Sequence, residues 1–475
     1  MNEMVLIEEI LFDNKVVQLS KNRDHPGNYV TIIVGKNGEG KSRMLQTISI
    51  VATFESRAKK TICISNGFFN KFIRQHRYSA GDFEAASTEF DDHLHYKIMC
   101  RNGYRNLSLS EVFSIQNEYR QSVNDFIAKR LVDCLLRSNQ KLKTTHQILN
   151  HFLLCDDVSI ELSLPRDLRL FSKDEVFFDY ERIERVIIHS NRGAFDMTPE
   201  TKQELFESID IFIREMNYIE SFTDSKREAS KLGLDLAYND YIFDSGKHSV
   251  FWDFSILDAL DNNYKISEKL KKAIFLLNEY NLLIFKNVFF KKNNNKLSVN
   301  DLSSGEANVL FSILSINSEI ENGSLILIDE PELSLHPKWQ SEIIPKIMKS
   351  FDGIDGCHFI IATHSPLVVS SIPDSNSSLV ILDSRLKNNI EALSGEDIRG
   401  KSSDSQLVNI LNFTGSHNEY LMRMLMTLIA KLTNNVRLSD GEKNFLDKVE
   451  VLIEISDVKK EDPVIYLLQQ AKALL

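Results

Sequence analysis

The sequence predicts an α/β fold, a parallel sheet that carries two largely helical additions. Three runs, Tyr29–Val34, Leu325–Ile328 and Phe359–Ala362, are apolar without alternation, as in strands buried on both faces of a parallel sheet. Each run ends next to a polar motif. Roughly 260 residues separate Ser42 from Leu302, more than the sheet needs, and about 90 residues follow the last predicted strand. Both regions have apolar residues at helical spacing, so we expect helices there.

The first apolar run leads into GKNGEGKS at Gly35–Ser42, and an apolar helical stretch follows. This context of strand, loop and helix fits the motif G-x-x-x-x-G-K-[ST], whose backbone N–H groups surround phosphate oxygens at a helix N-terminus. In such a loop Lys41 reaches the β- and γ-phosphates, and the Ser42 hydroxyl binds Mg²⁺. The residues predicted to bind the nucleotide here are Gly35, Asn37, Gly38, Gly40, Lys41 and Ser42.

The second apolar run, Leu325–Ile328, ends in Asp329 and Glu330. Behind a phosphate-binding loop, acidic residues at a strand end indicate a site for magnesium and for the attacking water. We predict that Asp329 and Ser42 hold Mg²⁺, and that Glu330 orients and deprotonates the water. An adjacent Asp-Glu pair after aliphatic residues is common, so this prediction depends on the loop at Gly35–Ser42.

The third apolar run, Phe359–Ala362, ends in Thr363-His364-Ser365-Pro366. Parallel sheets bind their ligands at the carboxyl ends of their strands. A histidine at this position can hydrogen-bond the γ-phosphate and respond to hydrolysis. A lone histidine is more often structural or merely exposed. The position of His364 relative to the other motifs favours a catalytic role.

A fourth motif, Asp301-Leu-Ser-Ser-Gly-Glu306, precedes a predicted helix that runs from Ala307 to about Ile320. Ser303 is placed to cap this helix, and Glu306 follows three residues later, as in a capping box. A helix N-terminus with free N–H groups also binds anions. The capping interpretation holds whether or not the motif binds an anion, and the residues alone leave the second possibility open.

The four motifs together resemble those of the ABC-type ATPase heads, in the SMC, RecF and OLD-like branch. The form N-G-x-G-K-S with Asn37 looks like that branch, and so does Asp329–Glu332 running into Leu335–Gln340. The resemblance covers roughly half of the chain. It implies ATP and Mg²⁺ as cofactors, Glu330 and His364 as catalytic residues, and an active site completed by a second copy. The residues that it implies at the nucleotide of that second copy are Ser303, Ser304, Gly305 and Glu306.

Two departures from the family pattern concern the residues that couple the site to partners. Ser334-Leu-His336 stands in the place of the D-loop, whose usual final aspartate is replaced, since Pro337 follows His336. The usual Q-loop glutamine is not evident. Its expected place follows a predicted strand near 184–190, where the chain has Ser190-Asn-Arg-Gly-Ala-Phe-Asp196. This passage resembles one in defence-associated ATPases such as the PtuA subunits of the Septu system.

Composition narrows the class of protein further. The chain has 475 residues with 43% hydrophobic residues, which predicts two or three domains with a sizeable core. No apolar run has transmembrane length, and the N-terminus lacks a signal-peptide pattern. The five cysteines are scattered, which indicates neither a zinc site nor a disulfide framework and predicts a cytoplasmic location. A net charge of −11 argues against tight unaided DNA binding without excluding a local basic groove.

The domain organisation follows from where the motifs and the helical regions lie. The strands Thr61–Ile64 and Leu94–Met99 are expected in the antiparallel lobe of an ABC-type head, and a hairpin is expected around Lys286–Lys296. The predicted domains are the N-terminal part of the head with the glycine loop and the antiparallel lobe (1–105), an inserted mainly helical region with a head strand near 184–190 (106–282), the C-terminal part of the head (283–390) and a helical C-terminal region (391–475).

The resemblance implies a homodimer or higher oligomer in which ATP lies between two heads. The residues after the head show no Toprim nuclease pattern, so any cutting activity is expected from a separate chain. The first hypothesis is a regulatory ATPase of bacterial anti-phage defence that assembles with a nuclease effector. The alternative is a RecF/SMC-like repair or recombination ATPase acting directly on DNA. A transporter subunit is a distant third, because of the large insertion and the altered D-loop, and no membrane partner is expected.

Overall fold

The computed structural model forms two compact units, Met1–Asn102 with Ile320–Leu475, and Gly103–Glu319. In the part of the chain that is described, no helix is long and apolar enough to cross a membrane. The structure describes residues 5–21, 27–36, 38–54, 58, 60–65, 96–100, 127–153, 155, 157–164, 198–216, 249–261, 263, 266–280, 282–292, 295–382, 389–398, 402–410, 414, 417–455 and 461–475.

The elements alternate between strands and helices in both units. Residues 127–137 are also helical. The strands are β1 (Glu9–Phe12), β2 (Lys15–Gln18), β3 (Tyr29–Gly35), β4 (Lys60–Ser65), β5 (Tyr96–Cys100), β6 (Asp157–Ser163), β7 (Val250–Ser255), β8 (Ile284–Lys292), β9 (Asn295–Ser298), β10 (Ser324–Asp329), β11 (His358–Thr363), β12 (Ser377–Leu382) and β13 (Leu393–Ser394). The α-helices are α1 (Lys41–Phe54), α2 (Asn139–Leu153), α3 (Pro199–Glu215), α4 (Ile256–Leu260), α5 (Glu268–Glu279), α6 (Ser304–Glu319), α7 (Pro337–Ser350), α8 (Pro366–Ser370), α9 (Ser403–Asn409), α10 (Glu419–Thr433), α11 (Asp440–Ile455) and α12 (Pro463–Ala473).

The first unit is built on a seven-stranded sheet in the order β13-β12-β3-β11-β10-β4-β5. All neighbouring strands run parallel except β12 and β13. Every residue of β3, β10 and β11 is buried, which explains why these runs lack alternation. The predicted α/β fold with central parallel strands is confirmed. The carboxyl ends of β3, β10 and β11 therefore meet at one edge, where three of the motifs follow.

Helix α1 packs on one face of this sheet. Met44, Leu45 and Ile48 of the helix share a core with Ile33 of β3 and Ile360 of β11. This packing fixes where α1 begins, directly after the glycine loop, because the helix cannot shift along the sheet without opening its apolar contacts.

The expected place of two strands was wrong. Thr61–Ile64 was predicted in an antiparallel lobe, but β4 pairs in parallel with β10, with Ile62 opposite Ile326. Strand β5 continues the same sheet in parallel with β4. The physical reason is that β4 is buried along nearly its whole length, as a strand covered on both faces must be.

Strands β1 and β2 form a two-stranded antiparallel sheet in the first unit, and a larger antiparallel sheet lies in the second unit. It has four strands in the order β7-β6-β8-β9. Strands β6 and β7 were not predicted, although Val250, Trp252 and Phe254 are buried at alternate positions of β7. The hairpin expected around Lys286–Lys296 is confirmed as β8 and β9.

Helices of the second unit hold the C-terminal end of α6. Asn317 donates to the Lys141 carbonyl at 3.2 Å and to Thr145 Oγ1 at 2.9 Å, both on α2. Arg130 lies 3.6 Å from the buried Glu319 carboxylate. Because α6 begins at the fourth motif, these contacts set the position of that motif within its own unit. The predicted head strand near 184–190, the passage Ser190–Asp196 and the first part of the inserted region lie outside the described residues.

The C-terminal helices form a separate apolar cluster in the first unit. At the start of helix α12, Asp462 Oδ1 accepts from the Val464 N–H at 2.9 Å, and Pro463 occupies the first helical position. Ser439 and Glu442 form the capping box of α11. The cluster itself is made by Val408, Leu421, Leu425, Leu428, Leu438, Leu446, Val449, Leu452, Val464, Leu468 and Ala471.

Gly395 gives a direct test of the packing beside β12. Its N–H donates to the Ser377 carbonyl at 3.2 Å, and a Cβ at this position would collide with Ser377 Oγ and with the Pro373 carbonyl. We expect Gly395→Ala to lower the free energy of unfolding by roughly 1–3 kcal/mol through overpacking. Urea unfolding measures this. Gly441→Ala is the control, because nothing lies within 4 Å of a Cβ at Gly441. Equal losses in both variants would contradict the prediction.

Candidate functional site

The glycine loop joins β3 to α1 at the carboxyl edge of the parallel sheet. Gly38 and Gly40 have φ values of 90° and 97°, a conformation that favours glycine. A Cβ on Gly35 would lie 2.9 Å from the Leu382 carbonyl of β12, so the close approach of that strand requires glycine. Asn37 lies outside the described residues.

Lys41 is folded back onto this loop. Its side chain is 6% exposed, and Nζ donates to the carbonyls of Gly35 at 2.9 Å and Lys36 at 3.3 Å. Burial lowers the pKa of the Lys41 ammonium, while the nearby carboxylates, Glu330 and Asp329 first, oppose that shift. The loop therefore presents a desolvated cation whose nearest opposite charges come from the end of β10.

Asp329 is the last residue of β10 and is 6% exposed. Burial raises the pKa of its carboxyl to about 6, and the charges of Glu330 and Glu332 act in the same direction. A hydrogen bond with the Ser42 side chain and the charge of Lys41 act against this rise. Asp329 Oδ1 has no hydrogen-bond partner among the described residues.

These residues fit a magnesium ion shared with a nucleotide. A buried carboxylate oxygen without a partner, next to a serine hydroxyl, is the donor set that a hard cation takes. Within the described ranges, no group of three or more His, Cys, Asp and Glu side chains could hold a metal ion. The protein would therefore supply only part of the coordination shell, as is usual for Mg²⁺ bound with phosphates and water.

Glu330 lies immediately after the strand in a left-handed backbone conformation. Its φ is 52°, which is uncommon for a residue other than glycine and is concentrated at functional sites. Its N–H donates to the Ala362 carbonyl at 2.9 Å, so the pairing of β10 with β11 continues one residue further. A hydrogen bond with His364 lowers the pKa of the Glu330 carboxyl although partial burial opposes this.

His364 follows β11 and faces two carboxylates. Its Nδ1 lies 3.7 Å from Glu330 Oε1 and 3.2 Å from Glu332 Oε1, and 47% of its side chain is exposed. The hydrogen bond with Glu330 is the largest cause of a raised pKa of the imidazole, while partial burial lowers it. The side chains of Glu330, Glu332 and His364 thus lie together where β10 and β11 end.

No role was predicted for Glu332, although it closes the Asp329–Glu332 motif. Its side chain is 4% exposed, and Oε1 accepts from Thr363 Oγ1 at 2.7 Å and from the His364 N–H at 2.9 Å. Its place three residues after Asp329, on the same turn, was the available signal. The sequence could not show that the turn directs the Glu332 carboxylate towards the end of β11.

The segment in the place of the D-loop also has a structural role. Ser334 has a φ of 65°, and His336 caps α7, with Nδ1 accepting from the Lys338 N–H at 3.3 Å. Pro337 follows at the first position of the helix. The His-Pro pair that replaces the usual aspartate is therefore the start signal of α7.

The fourth motif lies in the second unit, at the start of α6. Ser303 Oγ accepts from the Glu306 N–H at 3.3 Å, and Glu306 Oε2 accepts from the Ser303 N–H at 2.9 Å. The capping box is confirmed. The helix begins at Ser304, three residues before the predicted start, because Ser304, Gly305 and Glu306 form its first turn. Binding of an anion by this turn stays a prediction.

Part of the chain matches a known family model. Residues 160–370 match the family model described as "AAA domain, putative AbiEii toxin, Type IV TA system". That region contains the motifs at Leu302–Glu306, Leu325–Glu332 and Ala362–Pro366. It does not contain the glycine loop at Gly35–Ser42.

Three relatives extend the match. The chain is 26% identical to the Retron Vc95 probable ATPase of Vibrio cholerae serotype O1 biovar El Tor over 393 residues, which cover 75% of this chain and 70% of the relative. It is 37% identical to the Retron Ec83 probable ATPase of Escherichia coli over 130 residues (25% of this chain, 22% of the relative). It is 23% identical to the Septu protein PtuA of Bacillus mycoides (strain KBAB4) over 189 residues (38% of this chain, 26% of the relative).

These matches support ATPase activity for this chain. Its relatives come from families related to anti-phage defence, as the resemblance to Septu ATPases predicted. The matches to the second and third relatives span about a quarter of those proteins' length.

Replacing Asp329 by Asn should stabilise the ATPase and abolish its activity. The carboxyl has a pKa of about 6 in the fold against an ordinary 3.8, so the folded state binds the proton more tightly than the unfolded chain. Wild-type stability therefore falls as pH rises through that window, and the neutral variant escapes this loss. We expect a gain of roughly 1–3 kcal/mol at about pH 8.

The measurement is urea unfolding of both proteins without nucleotide and with a chelator. At about pH 4 the wild-type carboxyl is itself protonated in the fold, so the gain should largely disappear. A gain of the same size at both pH values, or normal ATP hydrolysis by Asp329→Asn, would contradict the role given to this residue.

Proposed function

We propose that this ATPase binds ATP with Mg²⁺ at the glycine loop and hydrolyses it when two copies close over the nucleotide. The observation that supports the proposal most is the buried Asp329, whose Oδ1 has no hydrogen-bond partner in the part of the chain that the structure describes, and whose carboxyl interacts with the Ser42 hydroxyl and with Lys41. Burying a carboxylate oxygen without a hydrogen bond destabilises the fold, and a bound cation would offset that cost.

Each residue of the site has one task in this proposal. Lys41 leaves the loop carbonyls and holds the β- and γ-phosphates, while Ser42 and Asp329 hold Mg²⁺. The ion, when bound, neutralises charge on the phosphate oxygens. Glu330 is ionised at neutral pH because the pKa of its carboxyl is lowered, so it accepts a proton from the attacking water. His364 donates a hydrogen bond to the γ-phosphate as negative charge shifts away from it.

The fourth motif would act on the nucleotide of the second copy. Ser303, Ser304, Gly305 and Glu306 stand at a helix N-terminus, where backbone N–H groups and the helix dipole favour an anion. The capping box that holds Ser303 and Glu306 together orders this turn before any ligand binds. Closure of the two copies would therefore cost little local ordering.

Glu330→Gln should trap a closed, ATP-bound dimer. Glutamine keeps the size of the side chain but cannot accept the proton, so turnover should fall by roughly 100-fold or more while ATP still binds. Size-exclusion chromatography with light scattering, in MgATP, measures the dimer. Lys41→Ala is the matched control and should stay monomeric under the same conditions. Unchanged turnover in Glu330→Gln would refute the assignment.

We also propose that the ATPase regulates a separate nuclease in anti-phage defence. Support comes from its similarity to the Septu protein PtuA and to two retron ATPases. The C-terminal residues form the helices α9–α12, and the net charge of −11 disfavours a chain that grips DNA by itself. Hydrolysis would then change the state of an attached effector.

A tagged pull-down from the native cells, with mass spectrometry of the eluate, tests this role. A nuclease that co-elutes in a fixed ratio, and that is lost from Glu330→Gln or Lys41→Ala complexes, would support a nucleotide-gated assembly. The chain eluting alone, with ATP turnover stimulated by added DNA, would instead favour a repair or recombination ATPase that acts directly on DNA.

A further inference from the structure

We propose that Glu332 is a positioning residue that fixes the imidazole of His364, with Gln340 holding the same loop from the opposite side. The proposal rests on the proposed role of His364 in hydrolysis. It concerns a carboxylate distinct from both the magnesium residue Asp329 and the base Glu330.

One carboxylate oxygen of Glu332 contacts both Thr363 and His364. Oε1 accepts from Thr363 Oγ1 at 2.7 Å and from the His364 N–H at 2.9 Å, and it lies 3.2 Å from His364 Nδ1. Because the side chain is 4% exposed, these contacts are formed away from competing water. One buried carboxylate therefore restrains both the backbone and the ring of the histidine.

The contact with the ring decides which nitrogen of His364 carries the proton. Nδ1 faces Glu332 Oε1 at 3.2 Å and Glu330 Oε1 at 3.7 Å. Glu332 Oε1 already accepts two hydrogen bonds, so it acts as an acceptor towards the ring, and the nitrogen that faces it carries the proton. We therefore assign the Nδ1–H form to the neutral ring, which leaves Nε2 as the unprotonated nitrogen. A proton gained at Nε2 is then available to a phosphate oxygen.

Gln340 restrains the residue on the other side of His364. Its Oε1 accepts from Ser365 Oγ at 2.7 Å, and its Nε2 donates to the Leu335 carbonyl at 3.0 Å. Leu335 in turn donates its N–H to the Glu332 carbonyl at 3.0 Å. The loop of His364 and the turn after β10 are thus tied together at two points, so a movement of the turn moves the imidazole.

Glu332→Gln tests the charge with little change of shape. The amide oxygen can still accept from Thr363 and from the His364 N–H, but the negative charge beside Nδ1 is lost. We expect kcat for ATP to fall roughly 10-fold, in the range found for residues that orient a functional histidine, with KM changed less than about two-fold. Glu342→Gln, an exposed carboxylate of α7 paired with Lys346, is the matched control and should keep wild-type kcat.

A double variant separates positioning from a general structural effect. In a His364→Ala background, Glu332→Gln should have no further effect on kcat, because it acts through the ring that is gone. A further fall of the same size as in the wild type would overturn the proposal, and so would wild-type kcat in Glu332→Gln. Normal kcat in His364→Ala alone would instead show that the role given to His364 in hydrolysis is wrong, which removes the proposal together with that role.

The tautomer of His364 can be tested in the wild-type protein, so this experiment does not depend on whether a Glu332 variant folds. In protein labelled with ¹⁵N-histidine, the His364 signals can be identified by their loss in His364→Ala. At a pH where the ring is neutral, the proton should reside on Nδ1 and the Nε2 signal should be that of an unprotonated nitrogen. A proton on Nε2 would overturn the assignment.

Gln340→Ala should lower kcat less than Glu332→Gln, by about three-fold, again only when His364 is present.

Discussion

The site depends on keeping the Asp329 carboxylate buried beside the Lys41 ammonium at the end of a parallel sheet. Neither charge is favourable there by itself, since burial raises the pKa of the acid to about 6 and lowers that of the amine. The arrangement persists because β10 and β3 are buried along their whole length and fix both chain positions. The same unfavourable burial leaves the carboxylate suited to a cation and the ammonium suited to a polyphosphate.

The turn after β10 directs three carboxylates to different places. Asp329 points to the glycine loop, Glu330 turns outward in a left-handed conformation, and Glu332 returns to the adjacent strand end. Four consecutive residues thereby place three carboxylates in three environments, and the pKa is raised at Asp329 and lowered at Glu330. The same turn continues into the His336 cap of α7, whose Gln340 reaches back to the histidine loop. Geometry of the turn therefore controls the histidine as well as the base.

Both units follow one pattern, in which a helix begins at a motif and its far end is anchored by unrelated residues. Helix α1 begins after the glycine loop and packs on the sheet through Met44 and Ile48. Helix α6 begins at the capping box of Ser303, and the insertion holds its other end through Asn317. A change in the inserted helices would consequently act on the fourth motif through a rigid helix.

The sequence by itself determined the three central strands, the glycine loop, the acidic strand end, the histidine and the helix caps. These features are local, because an unbroken apolar run, a glycine spacing or a Ser-x-x-Glu pair specifies its own backbone. Only the tertiary structure decided that β4 joins the parallel sheet, that a four-stranded antiparallel sheet forms within 157–298, and that Glu332 reaches His364. Each of these features depends on contacts between segments that are distant in sequence. Local residue spacing does not specify which distant segment covers a strand or receives a side chain.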